Sequence, residues 1–192
     1  HRVDRRQRQM CIRDRSTNDV SYVIETRAME SPFFIIDEGE YEVELFKDYY
    51  VNKDMLSNLK STNKMLNVVA GVYAEENGYA NCLLVNTDKK VVEAINGNLF
   101  LVKGNEIKTP PLSDGCMDGI IRKNLMKIIA GSEEYDLVED SISPFELQKV
   151  DELFITNSIV GIQPISKYRK KEFEAKVAKS LVGKLNAKAR IG

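Results

Sequence analysis

The sequence predicts a mixed α/β fold, and three observations carry that reading. Short runs rich in β-branched and aromatic residues are separated by turn pairs, the pattern of strands. Longer segments instead repeat their apolar residues three and four apart, the period of a helix. The two kinds of segment alternate only loosely, so the sheet is expected to mix parallel and antiparallel pairing. At 192 residues, 43% hydrophobic, the chain is long enough to bury a sizeable core.

Residues 20–29 and 31–46 read as strands, and 47–60 as a polar, tyrosine-bearing linker or crossover. Over 61–78 the period changes. Met65, Val68, Val69, Val72 and Tyr73 fall on one helical face, and Gly78 is a natural stop. Four short strands follow, at 81–86, 90–95, 98–104 and 106–111, with turns at Thr87-Asp88, Asn96-Gly97 and Gly104-Asn105. A second helix starts near Asp118, buries Ile121, Leu125, Ile128 and Ile129, and ends at Gly131. Ser143-Pro144-Phe145-Glu146 spells a capping box for a short helix to about Val150. Residues 151–165 form a strand broken by a turn, and 170–188 an amphipathic helix with Phe173, Val177, Leu181 and Leu185 on one side.

Composition excludes several chemistries. The only histidine is His1, so histidine triads and histidine-rich metal sites are unavailable and proton transfer falls to Lys, Asp, Glu, Tyr or a cofactor. Cys11, Cys82 and Cys116 form neither a metal pattern nor a disulfide framework, which makes a reducing cytoplasm the expected compartment. No apolar run reaches membrane-spanning length. Residues 1–15 carry six arginines and two aspartates, whereas the remainder carries a net −5. That stretch resembles translated adaptor sequence and is set aside as non-native.

Glu93 poses the sharpest chemical question. It stands among Val91, Val92, Ala94 and Ile95 on a strand that reads as half buried, and a buried carboxylate needs a partner. Lys60 lies where the polar linker meets the first helix, and a lysine in a partly dry site can form a Schiff base. Gly119-Ile120-Ile121-Arg122 opens a helix whose free N–H groups suit a phosphate, and Thr156-Asn157-Ser158 places hydroxyls at a turn. Imine-forming amine, carboxylate and anion cradle are the protein parts that pyridoxal 5'-phosphate (PLP) requires. Ser57-Asn58-Leu59-Lys60 also fits the S-x-x-K of serine β-lactamases, but Lys108-Thr109 is followed by proline rather than glycine.

Five blocks then occur in order: Lys60-Ser-Thr-Asn63, Glu93 to Asn98-Leu-Phe, Lys108-Thr-Pro-Pro, Gly119-Ile-Ile-Arg122 and Thr156-Asn-Ser158. Over roughly residues 20–185 the chain resembles the class IV, fold type IV, PLP enzymes. These include branched-chain and D-amino-acid aminotransferases and 4-amino-4-deoxychorismate lyase. The resemblance implies a C-terminal PLP domain at 60–192, a linker at 51–59 and a remnant of the N-terminal α/β domain at 16–50, with the rest of that domain, and its phosphate-binding arginine, upstream. It implies that Lys60 carries the cofactor and moves the proton, and that Glu93 faces the ring nitrogen. The backbone of Ile120 and Ile121, with the Ser158 hydroxyl, would hold the phosphate, and Asn98 would support the site beside Glu93. The family usually has threonine where Ile121 stands, and its aminotransferases often place a tyrosine near Met65. A homodimer, a small-molecule substrate and no nucleic-acid or membrane partner are also implied.

Within the family, Lys60-Ser-Thr-Asn63-Lys64 and the run from Thr156 to Ile165 resemble the lyase patterns. The expected reaction is conversion of 4-amino-4-deoxychorismate to p-aminobenzoate and pyruvate, a step of folate biosynthesis. The alternative is amino transfer to a 2-keto acid.

Overall fold

The structure is a computed structural model that describes residues 20, 22–26 and 31–191. The expected non-native segment 1–15 and much of the strand expected at 20–29 lie outside the described residues, and the described part of 20–29 carries no strand. Phe33–Gly192 forms one compact unit that holds all the described strands and helices.

Ten strands build one mixed sheet. In chain order the elements are β1 (Glu42–Val51), α1 (Met65–Glu76), β2 (Asn81–Asn86), β3 (Val91–Ala94), β4 (Gly97–Lys103), β5 (Glu106–Thr109), α2 (Ile120–Ala130), β6 (Asp136–Glu139), β7 (Glu152–Asn157), β8 (Gly161–Ile165), β9 (Lys167–Tyr168), β10 (Lys171–Glu172) and α3 (Lys176–Ile191). The strand order is β10-β9-β1-β2-β3-β4-β5-β6, and β7 joins β4 to β8. Pairing is parallel for β1 with β2 and β9 and for β5 with β6, and antiparallel elsewhere. The mixed sheet is what loose alternation of elements predicts.

Both faces of the sheet are covered. One carries a cluster built on Leu83, Leu99, Leu101, Leu153 and Tyr168, closed by Ile142, Leu147 and Val150 from the segment before β7. On the other, α2 and α3 pack through Ile121, Leu125, Ile129, Leu181 and Leu185 onto Phe100 and Phe154, whose rings stack at 5.2 Å. Helix α1 covers the neighbouring stretch, setting Ala70 and Ala74 against Phe46, Cys82 and Leu84.

Several local expectations shift. The strand expected at 31–46 starts only at Glu42 and continues to Val51, into the segment read as linker. Helix α1 forms where its period places it but turns a different face inward. Ala70 and Ala74 are buried, while Val68 and Val72 stay 60% and 49% exposed. The small alanines let the helix approach the sheet closely, which the bulkier valine stripe would prevent. The β3–β4 loop is Ile95-Asn96 rather than Asn96-Gly97, since Ala94 pairs with Gly97. Neither loop residue has positive φ. Gly97 is needed for space: a Cβ there would lie 2.8 Å from the Thr156 carbonyl oxygen. At 143–150 the chain makes turns rather than a helix, although the Glu146 carboxylate accepts from the Ser143 N–H at 2.7 Å, half of the expected capping box.

β3 contains a bulge. Leu84 pairs with Glu93 and Val85 with Val91, so Val92 is an extra residue. In a regular strand Val91 and Glu93 would point the same way. Here Val91 joins the cluster of the first face, and Glu93 turns to the face covered by the helices.

Candidate active site

A cavity of about 190 Å³ opens where β3, β4 and β7 meet the N-terminus of α2. The six residues expected to hold or support the cofactor line it: Lys60, Glu93, Asn98, Ile120, Ile121 and Ser158, whereas Lys108 of the five blocks lines a separate cavity. They arrive from separate parts of the chain. Lys60 comes from the segment between β1 and α1, Glu93 and Asn98 from facing strands, the isoleucines from the first turn of α2, and Ser158 from the β7–β8 turn.

The floor is a polar row across the sheet. Glu93 pairs with Asn98 and Asn98 with Thr156, so the three side chains stand on one face of successive strands. At the usual strand spacing the row spans about 10 Å. Apolar residues close its ends, Leu84 beside Glu93 and Ile162 beside Thr156.

Glu93 is 5% exposed. Burial pushes its carboxyl up to about 7, opposed by the Met117 N–H, which donates to Oε2 at 2.8 Å, and by the positive charges of Lys64 and Lys60. The carboxylate also borders a second cavity, of about 530 Å³, that contains Lys64, Asn63 and Asn67. No salt bridge holds Glu93 among the described residues.

Helix α2 begins without a side-chain cap. Gly119 is its N-cap residue, and the first intrahelical bond runs from Lys123 N–H to the Gly119 carbonyl. The N–H groups of Ile120, Ile121 and Arg122 therefore have no place in the helical ladder. Asp118, expected near the cap, instead pairs with Lys123 at 2.6 Å. The turn is anchored from below by Arg122, which is 3% exposed and donates to the Pro110 carbonyl at 2.8 Å and to Glu139 at 2.7 Å. Thr109 fixes the adjoining strand by donating to the Leu99 carbonyl at 2.8 Å.

Sequence reasoning missed the groups that hold this geometry. Asn58 donates to the carbonyls of Leu112 and Cys116, and its own carbonyl accepts from the Asp118 N–H, which ties the Lys60 segment to the loop before α2. The backbone of Met117 is gripped on both sides, its N–H by Glu93 and its carbonyl by the Asn98 amide at 2.7 Å. Backbone partners carry no residue identity, so only Asn58, inside the S-x-x-K pattern, offered a signal.

The arrangement fits PLP. An exposed lysine faces the cavity, a carboxylate stands on its floor, and a helix N-terminus opens its wall. The buried Thr156 hydroxyl, next to Asn98 in the row, has no hydrogen-bond partner within the protein.

The family model for class IV amino-transferases matches residues 13–168, and the chain belongs to that family, whose members are PLP-dependent enzymes. Among particular relatives, a branched-chain-amino-acid aminotransferase of Arabidopsis thaliana is 34% identical over 107 residues, 54% of this chain and 27% of the relative. The aminodeoxychorismate lyase of Vibrio harveyi is 27% identical over 112 residues, 58% of this chain and 41% of the lyase. The chain thus spans less than half the length of these curated relatives. The crystal structure of a branched-chain aminotransferase from Thermoproteus uzoniensis superposes with a TM-score of 0.69 at 25% identity, over 76% of this chain and 50% of that one.

Proposed function

We propose that this chain is the cofactor-holding part of a PLP enzyme acting at the amino-bearing carbon of its substrate, and that the enzyme is 4-amino-4-deoxychorismate lyase. The observation that carries the class is the convergence on one cavity of a lysine, a buried carboxylate and an uncapped helix N-terminus. PLP, when bound, supplies an electron sink for the charge left on a deprotonated carbon. Lys60 is assigned to hold the cofactor covalently through Nζ and, once displaced by the substrate amine, to move the proton at the carbon. Glu93 is assigned to keep the ring nitrogen protonated, since a cation opposite the carboxylate would offset the burial that raises its pKa. The N–H groups of Ile120 and Ile121, with the Ser158 hydroxyl, are assigned to the phosphate, so isoleucine at 121 contributes its backbone alone. Asn98 supports the Glu93 end.

In the lyase reaction Lys60 takes the proton from the amino-bearing ring carbon, the bond to the enolpyruvyl oxygen breaks, and the ring becomes aromatic. Enolpyruvate leaves and is protonated to pyruvate. The β7–β8 turn supports this reading: Asn157 accepts from the N–H groups of Ile159 and Val160, which closes the Thr-Asn-Ser turn that resembles the lyase pattern. Amino transfer to a 2-keto acid is the second reading, supported by the higher identity to the branched-chain aminotransferase. We also propose a cytoplasmic homodimer. The valine face that α1 turns outward supports the dimer, and the buried thiols of Cys82 and Cys116 suit a reducing compartment.

Purified chain mixed with PLP should gain a near-ultraviolet or visible band that Lys60→Ala abolishes. A band untouched by that substitution would refute the class assignment. Release of p-aminobenzoate from aminodeoxychorismate decides for the lyase, and amino transfer without that release decides for the transaminase.

A further inference from the structure

Asn98 and Gly119 interlock. A Cβ on Gly119 would lie 2.1 Å from the Asn98 Oδ1, inside any permitted contact. The Asn98 amide cannot simply swing aside, because its Nδ2 donates to the Met117 carbonyl at 2.7 Å. The N–H of the same residue, in the preceding peptide, donates to Glu93 at 2.8 Å. Gly119 in turn is the N-cap residue of α2, and its N–H donates to the same Met117 carbonyl at 2.9 Å. One residue, Met117, therefore links the buried carboxylate, the Asn98 amide and the first turn of the helix through its two flanking peptides. With Asn98 4% exposed and facing Glu93 across the β3–β4 ladder, this junction is packed rather than solvated.

We propose that Asn98 is a positioning residue that locks residues 117–119, so that the Glu93 carboxylate and the anion-binding N-terminus of α2 are held as a single unit. Glu93 alone fixes only the peptide that carries the Met117 N–H. Asn98 fixes the carbonyl side and fills the space that only a glycine N-cap leaves open. Loss of either would let the first turn of α2 drift from the cavity while the body of the helix stays anchored by Arg122 and Leu125. The inference rests on the reading that this N-terminus receives a phosphate.

Inorganic phosphate is the probe, which separates this test from any property of Lys60 or of bound PLP. Asn98→Ala and Gly119→Ala should each weaken phosphate binding about tenfold, and the double variant should bind no more weakly than either alone, because both break one contact. Additive losses of about a hundredfold, or wild-type binding that is undetectable, would overturn the proposal. The unmodified chain supplies a second measurement that needs no variant. Phosphate should slow hydrogen exchange at the Met117 amide, which donates to Glu93, together with the amides of Ile120 and Ile121. Protection confined to the helix amides would show that the carboxylate and the helix end move independently. A PLP band lost with Lys60→Ala, alongside that outcome, would leave the enzyme reading standing and remove only the positioning role.

Discussion

Glu93 couples the site to the stability of the chain. Its carboxyl titrates near 7 in the folded protein because burial penalises the charge. In the unfolded chain it titrates near the ordinary glutamate value of about 4.3. Between these values the folded state binds more protons than the unfolded one, so stability falls as pH rises through the window. The shift corresponds to an order of 3 kcal/mol, present below about pH 4 and lost by about pH 8. Glu93→Gln should flatten this fall when urea unfolding of ligand-free protein is followed from pH 4.5 to 7.5. It should also weaken turnover, because an amide cannot stabilise a protonated ring nitrogen as a carboxylate does. A pH dependence equal to that of the wild type would mean that another group carries the titration.

Among the elements, the β3–β4 hairpin and α1 show what kind of information the sequence holds. The position of both is legible, since periodicity and turn residues report where a strand or helix runs. Orientation was harder to read. The valine stripe of α1 is the stronger hydrophobic signal, yet Ala70 and Ala74 face the sheet, because the contact is set by how near the backbone must come to Phe46 and Cys82. Similarly, Gly97 sits in the strand rather than the loop, and its role is clearance above Thr156. Gly97→Ala should therefore cost about 1–3 kcal/mol through backbone displacement, measurable as a lower urea midpoint. The site residues were legible because five ordered blocks specify side-chain types. The Met117 backbone that joins Glu93 to Asn98 was not, because any residue could supply it.

At the scale of the whole molecule, the outward face of α1 is a place where apolar composition and burial disagree. Met65 and Val68 are 72% and 60% exposed, and Val72 and Val69 lie close behind them on the helix. Apolar surface gathered on one helix face is the kind of patch a protein covers. If the proposed dimer uses it, Val68→Asp with Val72→Asp should convert a dimer to a monomer in light scattering while far-ultraviolet circular dichroism stays unchanged. A doubly substituted chain that remained dimeric would place the interface elsewhere. No described helix is long and apolar enough to cross a membrane.

The extra residue in β3 gives Glu93 a second job. Had the strand run on regularly from the pairing of Val91 with Val85, Glu93 would lie opposite Leu83, its carboxylate sealed among Val91, Leu99 and Ile142. A charge in that position costs several kcal/mol, so the wrong frame is disfavoured by the same carboxylate that stands on the cavity floor. Chemistry and addressing are thus written in one letter. Glu93→Leu would erase the address as well as the charge, and its β3 amides should split into two sets of resonances, one for each frame.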